Sequence, residues 1–260
     1  MKIAVTGKGG VGKTTLAAVL SRLYASEGKK VLALDVDPDA NLGLALGFST
    51  AETAAIVPIT QMKDLINERT GVAADGMGKL FKLNPKVDDI PERFSIEKNG
   101  VKLLVMGTVE TGGAGCVCPE HVMVKQLLSH LVFNRDDVVI MDMEAGLEHL
   151  GRGTASAMDR FIVVVEPGSR SVQTFNKIKS LASDLGIKKV QAVANKIRSE
   201  ADKLYFKDLI PTEDFLGFIR FSDDVIDADR QGISPFDTCL SVKEDICSIK
   251  EKIDLEGKQP

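Results

Sequence analysis

The segment Gly7-Lys8-Gly9-Gly10-Val11-Gly12-Lys13-Thr14-Thr15 has the residue types and the spacing to hold a chain of phosphates. Gly7, Gly9, Gly10 and Gly12 let the backbone wrap closely around an anion, so that successive N–H groups point inward. A helix beginning behind them adds its positive N-terminal end. In the pattern G-x-x-x-x-G-K-[ST], Lys13 is placed to reach the β and γ phosphates of a nucleotide, and the Thr14 hydroxyl to ligate Mg²⁺. The chemistry such a loop serves is phosphoryl transfer, carried out by positioning and charge stabilisation.

Carboxylates follow at the ends of apolar runs. Val138-Val139-Ile140-Met141 leads into Asp142, the pattern of an acid that sits at a strand end near the Mg²⁺ shell. A second run ends in Asp35-Val36-Asp37-Pro38-Asp39. Acids in these places serve a metal, a helix cap or a turn, and residue type alone does not separate the three.

The remaining chemical candidates are sulfurs. Cys116 and Cys118 stand two apart, between the glycine-rich stretch Thr111-Gly112-Gly113-Ala114-Gly115 and Pro119, which can start a helix. Thiols at a helix N-terminus are biased toward the thiolate, the form that binds metals. Two thiolates leave a tetrahedral ion half coordinated, whereas two copies facing across a symmetry axis present four sulfurs to one ion. Such a set suits Zn²⁺, a [4Fe–4S] cluster or Ni²⁺, and the spacing does not choose among them. Cys239 and Cys247 stand apart and read as packing residues.

Lys8 is not required by the ordinary phosphate loop. With it, GKGGVGKTT resembles the deviant loop of the dimeric MinD, ParA and nitrogenase iron protein group of P-loop ATPases. The resemblance implies that Lys8 crosses a homodimer interface to the nucleotide of the opposite subunit, making hydrolysis of ATP to ADP depend on dimerisation. It further implies that Asp37 orients the attacking water, that Asp35 lies close to the Mg²⁺ shell, that Gly146 lets the second switch bend, and that Asn195 hydrogen-bonds the base. Together with the Asp37-Pro38-Asp39 switch, the Cys-x-Cys loop and the stretch from Met141 to Leu150, the sequence is similar, along nearly its full length, to the CooC/AcsF-type nickel-insertion ATPases. On that resemblance Cys116 and Cys118 fall on the family's metal pair, the cargo is Ni²⁺, and the target is nickel carbon monoxide dehydrogenase or acetyl-CoA synthase. Glu144 stands where the group generally carries a small residue or proline.

These residues must be positioned by elements of the right kind. Short β-rich runs at Lys2–Thr6, Lys30–Asp35, Val101–Met106, Asp137–Asp142, Phe161–Val165, Val190–Ala194 and Phe215–Ile219 are expected to be strands. Helical patterns fall at Lys13–Glu27, Gln61–Arg69, Pro119–Phe133, Ser171–Leu185, Ile197–Asp208, Ser222–Gln231 and Val242–Ile253. Strands apolar on both faces and separated by helices predict an α/β fold, a mostly parallel sheet flanked by helices on both faces. Residues 1–260 are expected to form one domain, with Gly71–Asn99 an irregular excursion before the Val101 strand.

Composition narrows the partners. The 260 residues carry 33 Lys and Arg against 37 Asp and Glu, a net charge of −4, so no diffuse positive field exists to hold nucleic acid or anionic lipid. No apolar run reaches the length of a membrane span, and no signal-peptide pattern follows Met1, so a cytoplasmic protein is expected. Within the same ATPase group, a cluster-carrying reductase, a membrane-positioning ATPase and a DNA-partitioning ATPase are the rival readings. The first keeps its cysteines on separate loops, the second needs a basic amphipathic tail, and the third needs a basic surface.

Overall fold

The computed structural model describes residues 1–72, 81–107, 118–133, 137–144, 154–155, 157–187 and 189–257. Its strands are β1 (Lys2–Gly7), β2 (Val31–Asp35), β3 (Ile96–Lys98), β4 (Val101–Val105), β5 (Val138–Asp142), β6 (Arg160–Val165), β7 (Val190–Ile197) and β8 (Phe215–Arg220). They form one eight-stranded sheet in the order β3-β4-β2-β5-β1-β6-β7-β8. Every pairing is parallel except β3 with β4. The α/β architecture expected from the apolar runs is the one observed.

The helices among the described residues are α1 (Lys13–Ser26), α2 (Leu42–Ala45), α3 (Thr50–Ala54), α4 (Lys63–Thr70), α5 (Ile90–Phe94), α6 (Pro119–Phe133), α7 (Ser169–Asp184), α8 (Glu200–Lys207), α9 (Asp223–Gln231), α10 (Pro235–Thr238) and α11 (Leu240–Gly257). Because successive strand side chains alternate between faces, each strand feeds two cores. Leu32, Leu34, Val139, Met141, Phe161 and Val163 pack with residues of α4, α6 and α7. Ile3, Val31, Ala33, Ile140, Ile162 and Val193 pack with residues of α1 and α11 on the other face. Strands buried on both faces have no polar side to show, which is why they read as unbroken apolar runs.

Two expectations need correction. Ile197 was expected to open a helix, but it closes β7, pairs with Arg220 of β8 and accepts the Phe221 N–H. The helix begins instead at Glu200, because Ser199 accepts the Asp202 N–H while the Asp202 carboxylate accepts the Ser199 N–H, a reciprocal cap. The described part of the excursion expected at 71–99 also holds regular elements, α5 and the antiparallel strand β3. Asn99 and Gly100, both at positive φ, turn β3 into β4.

The amino ends of the strands are closed by ionic contacts to α11. The Lys250 ammonium is buried over the Tyr24 ring, 4.5 Å from its centroid, and pairs with Glu27 at 2.7 Å and Asp254 at 2.8 Å. The Tyr24 hydroxyl donates to Asp254, and buried Arg160 pairs with Glu256 at 3.0 Å. The carboxyl ends of β4, β2, β5 and β1 are adjacent on the opposite edge.

Candidate functional site

In the loop after β1, Gly12 takes a left-handed conformation, φ +96°, and α1 starts from it without a capping side chain or an acidic residue in its first turn. The first N–H groups of α1 therefore keep their positive end for an anion. Lys13 is buried beside this turn, with its ammonium 3.7 Å from the Asp37 carboxylate. Thr14 and Thr15 are half-buried, whereas Lys8, Gly9 and Gly10 form the exposed tip of the loop.

Parallel register brings two acids together. Asp35 lies opposite Asp142 on the neighbouring strand, and both share the sheet face against which α1 packs. Asp35 is fully buried and accepts the N–H groups of Leu42 at 2.9 Å and Asp37 at 3.3 Å. Burial pushes its pKa up to about 7, the two N–H groups only partly countering it, and the Asp142 charge adds to the rise. Asp142 is raised to about 6, again by burial, with the Thr14 hydroxyl and the Lys13 ammonium acting the other way.

Neither oxygen of Asp142 has a hydrogen bond of normal geometry, although both are buried. A buried carboxylate without a partner is costly. Such an orphaned pair of hard oxygens, with a second carboxylate in register and a threonine hydroxyl close by, fits a hard divalent cation of the Mg²⁺ type. The structure thus brings Lys13, Thr14, Asp35, Asp37 and Asp142 to one edge.

A sequence profile agrees with this geometry. The CobQ/CobB/MinD/ParA nucleotide binding domain matches residues 2–236. The chain belongs to the CobQ/CobB/MinD/ParA family. As a member of that family it is a P-loop ATPase. Its relatives include the carbon monoxide dehydrogenase accessory protein CooC of Rhodospirillum rubrum, 50% identical over 237 residues, which span 91% of this chain and 90% of the relative. An uncharacterised ATP-binding protein of Methanocaldococcus jannaschii is 46% identical over 235 residues, 89% of this chain and 90% of its own. A chain of the MinC:MinD cell division protein complex of Aquifex aeolicus superposes with a TM-score of 0.69 at 20% identity, covering 100% of this chain and 97% of that one, a likeness of fold.

Other features of this CobQ/CobB/MinD/ParA member were less accessible to sequence reasoning. Asn195 lies against the phosphate loop, where its amide donates to the Val11 carbonyl at 2.8 Å and its oxygen accepts the Lys196 N–H at 2.7 Å. An amide retains one further N–H and one lone pair after those contacts. A cavity of about 640 Å³ opens beside the loop threonines, lined by Thr14, Thr15, Asn41, Leu44, Arg230 and Ile233. Arg230 and Ile233 had no signal in the sequence, because only the folding of the segment around α9 over the start of α1 makes them neighbours of the loop.

Cys118 immediately precedes α6, where its sulfur accepts the His121 N–H at 3.4 Å and its carbonyl accepts the Val122 N–H at 3.1 Å. The sulfur thus sits at the positive end of a helix. Cys116 and Gly146 lie outside the described residues. Among the described residues no group of three or more His, Cys, Asp and Glu side chains gathers as a metal site. The chain leaves β4 on its way to the cysteine pair, and β4 is three strands from β1, so at ~4.8 Å per strand its carboxyl end lies ~14 Å to the side of the phosphate loop. No described helix is long and apolar enough to cross a membrane.

Proposed function

We propose that this ATPase is a cytoplasmic maturation factor that aids nickel insertion into carbon monoxide dehydrogenase or acetyl-CoA synthase. The observation that carries the proposal is the near full-length similarity to CooC, 50% identity over 91% of the chain. In this reading the whole chain acts as one domain and works as a homodimer.

The phosphate loop, Gly9, Gly10, Val11, Gly12, Lys13, Thr14 and Thr15, holds the nucleotide, with Lys13 on the β and γ phosphates. Thr14, Asp35 and Asp142 hold Mg²⁺, which when bound neutralises charge on the phosphate oxygens. Asp37 orients the attacking water, and Lys8 reaches across the dimer axis to supply positive charge as the phosphoryl group transfers. The cavity beside Thr14 and Thr15 supports placement of a nucleotide at the loop, and Asn195, which contacts the loop at Val11 and does not line that cavity, offers its remaining amide groups to the base on the strength of the family resemblance.

Cys116 and Cys118 from both subunits carry Ni²⁺ as cargo, with Zn²⁺ a chemically equal occupant of four thiolates. The helix-end position of Cys118 supports this, since N–H groups there favour a charged sulfur. Closure of two subunits around ATP would set the spacing of the two cysteine pairs, and its reversal after hydrolysis would release the metal.

The test is anaerobic Ni²⁺ equilibrium dialysis in the presence of Mg-ADP, comparing the protein with a Cys116→Ser/Cys118→Ser double variant. The expected result is one Ni²⁺ per two chains, lost in the variant. Equal binding by both proteins, or none by either, would remove nickel carriage and leave an iron–sulfur-carrying or protein-positioning ATPase.

A further inference from the structure

Lys196 occupies the left-handed region, φ +61°, and among the described residues the only other non-glycine residue there is Asn99. Asn99 precedes a glycine in a hairpin turn, where asparagine is at home. A lysine has no such local reason, and backbone strain of this kind persists only where the surroundings enforce it.

The surroundings are the phosphate loop. The Lys196 ammonium donates to the Gly10 carbonyl at 2.7 Å, and the Glu166 carboxylate at the end of β6 holds that ammonium at 3.1 Å. Asn195, one residue earlier, donates to the Val11 carbonyl. Two successive carbonyls of the loop are thus gripped from behind by two successive residues of β7. In a planar trans peptide the N–H points opposite to the C=O. Holding the Gly10 and Val11 carbonyls on this side turns the N–H groups of Val11 and Gly12 to the other. The Val11 N–H reaches the Lys8 carbonyl only at 3.4 Å, a long contact that a phosphate oxygen could replace.

We infer that Lys196 is a positioning residue for nucleotide affinity, its ammonium and its strained backbone together presetting the peptide planes that face the phosphates. The inference rests on the loop being the nucleotide site. Preset N–H groups meet the phosphates equally in the bound and the reacting state, so losing them weakens binding more than turnover.

Lys196→Gly separates this role from a structural one, since glycine relieves the left-handed strain while removing the ammonium. Titration calorimetry with Mg-ADP, saturating ATPase assays and thermal melting without nucleotide are the measurements. The expected result is a Kd for Mg-ADP weakened roughly ten-fold or more, kcat within about three-fold, a melting midpoint equal to or above that of the parent, and recovery of much of the affinity in Lys196→Arg. Unchanged affinity in Lys196→Gly, or a lowered melting midpoint there, would overturn the positioning role. A parent protein that fails to bind Mg-ADP would overturn the nucleotide site itself, a different result from either.

Discussion

The Lys13 ammonium and the Asp37 carboxylate form a partly buried ion pair at 3.7 Å, linking the start of α1 to the turn after β2. A phosphate arriving at Lys13 competes with this carboxylate for the same charge. The aspartate proposed to orient water therefore also restrains the lysine proposed to grip phosphate. Asp37→Asn is expected to bind Mg-ADP as tightly as the parent or more so, while hydrolysis falls roughly a hundred-fold or more. Calorimetry beside a phosphate-release assay checks both halves, and a loss of affinity with intact turnover would sink the assignment.

The Asp35–Asp142 register makes stability depend on pH in an uncommon direction. Both carboxyls have folded pKa values above the ordinary 3.8, at about 7 and about 6, so the folded chain holds protons that the unfolded chain releases. Their contribution is fully present below the unfolded value and is lost as pH rises from there through the folded values. At about 1.4 kcal/mol per unit, the Asp35 shift corresponds to about 4 kcal/mol. With divalent cations removed by EDTA, the melting midpoint should be several degrees higher at pH 5.5 than at pH 8, and Asp35→Asn should flatten the dependence. Mg-ADP should stabilise the protein more at pH 8, where the acids are charged, than at pH 5.5.

Gly12 is the tightest point of the phosphate loop. A Cβ there would lie 2.2 Å from the Asn195 Nδ2, on a backbone at φ +96°. Asn195 cannot withdraw without releasing the Val11 carbonyl. Gly12→Ala is therefore expected to abolish measurable Mg-ADP binding by calorimetry. Retained affinity would show that the grip of Asn195 on the loop is dispensable.

Lys8, exposed at the loop tip, should be separable from binding. In Lys8→Ala, Mg-ADP affinity should stay within a few-fold of the parent, while the ATPase rate drops by roughly a hundred-fold and loses its dependence on protein concentration. Mixing Lys8→Ala with an Asp37→Asn chain adds a stringent check. If each lysine serves the opposite subunit, the mixed dimer holds one intact composite site only when Lys8 and Asp37 of the same chain act at different sites, and activity returns.

The loop at 7–15 was legible because its function is encoded locally, by glycines and a lysine between a strand and a helix. The parallel sheet was legible for a related reason, since burial on both faces leaves unbroken apolar runs. Register was not: nothing in the sequence places Asp35 level with Asp142, because pairing of β2 with β5 is decided by the crossover of a distant segment. The same holds for Lys196, whose partners Gly10 and Glu166 are 186 and 30 residues away. The β3–β4 turn, by contrast, carried a signal in Asn99-Gly100 that the surrounding prolines and charges obscured. The extension of β7 to Ile197 was hidden because β8, the strand that pairs with it, lies further along the chain.

The ionic closure around Lys250 and Arg160 has a practical consequence for protein engineering. Those contacts gather at the amino ends of the strands, and β1, at 6 residues and ~3.3 Å per residue, puts them ~20 Å from the phosphate loop. Substitutions that far apart act nearly additively. Thermostabilising libraries can therefore be drawn on Glu27, Asp254, Glu256 and their neighbours without retuning turnover, and libraries for altered turnover can be drawn on the carboxyl edge against a scaffold already hardened.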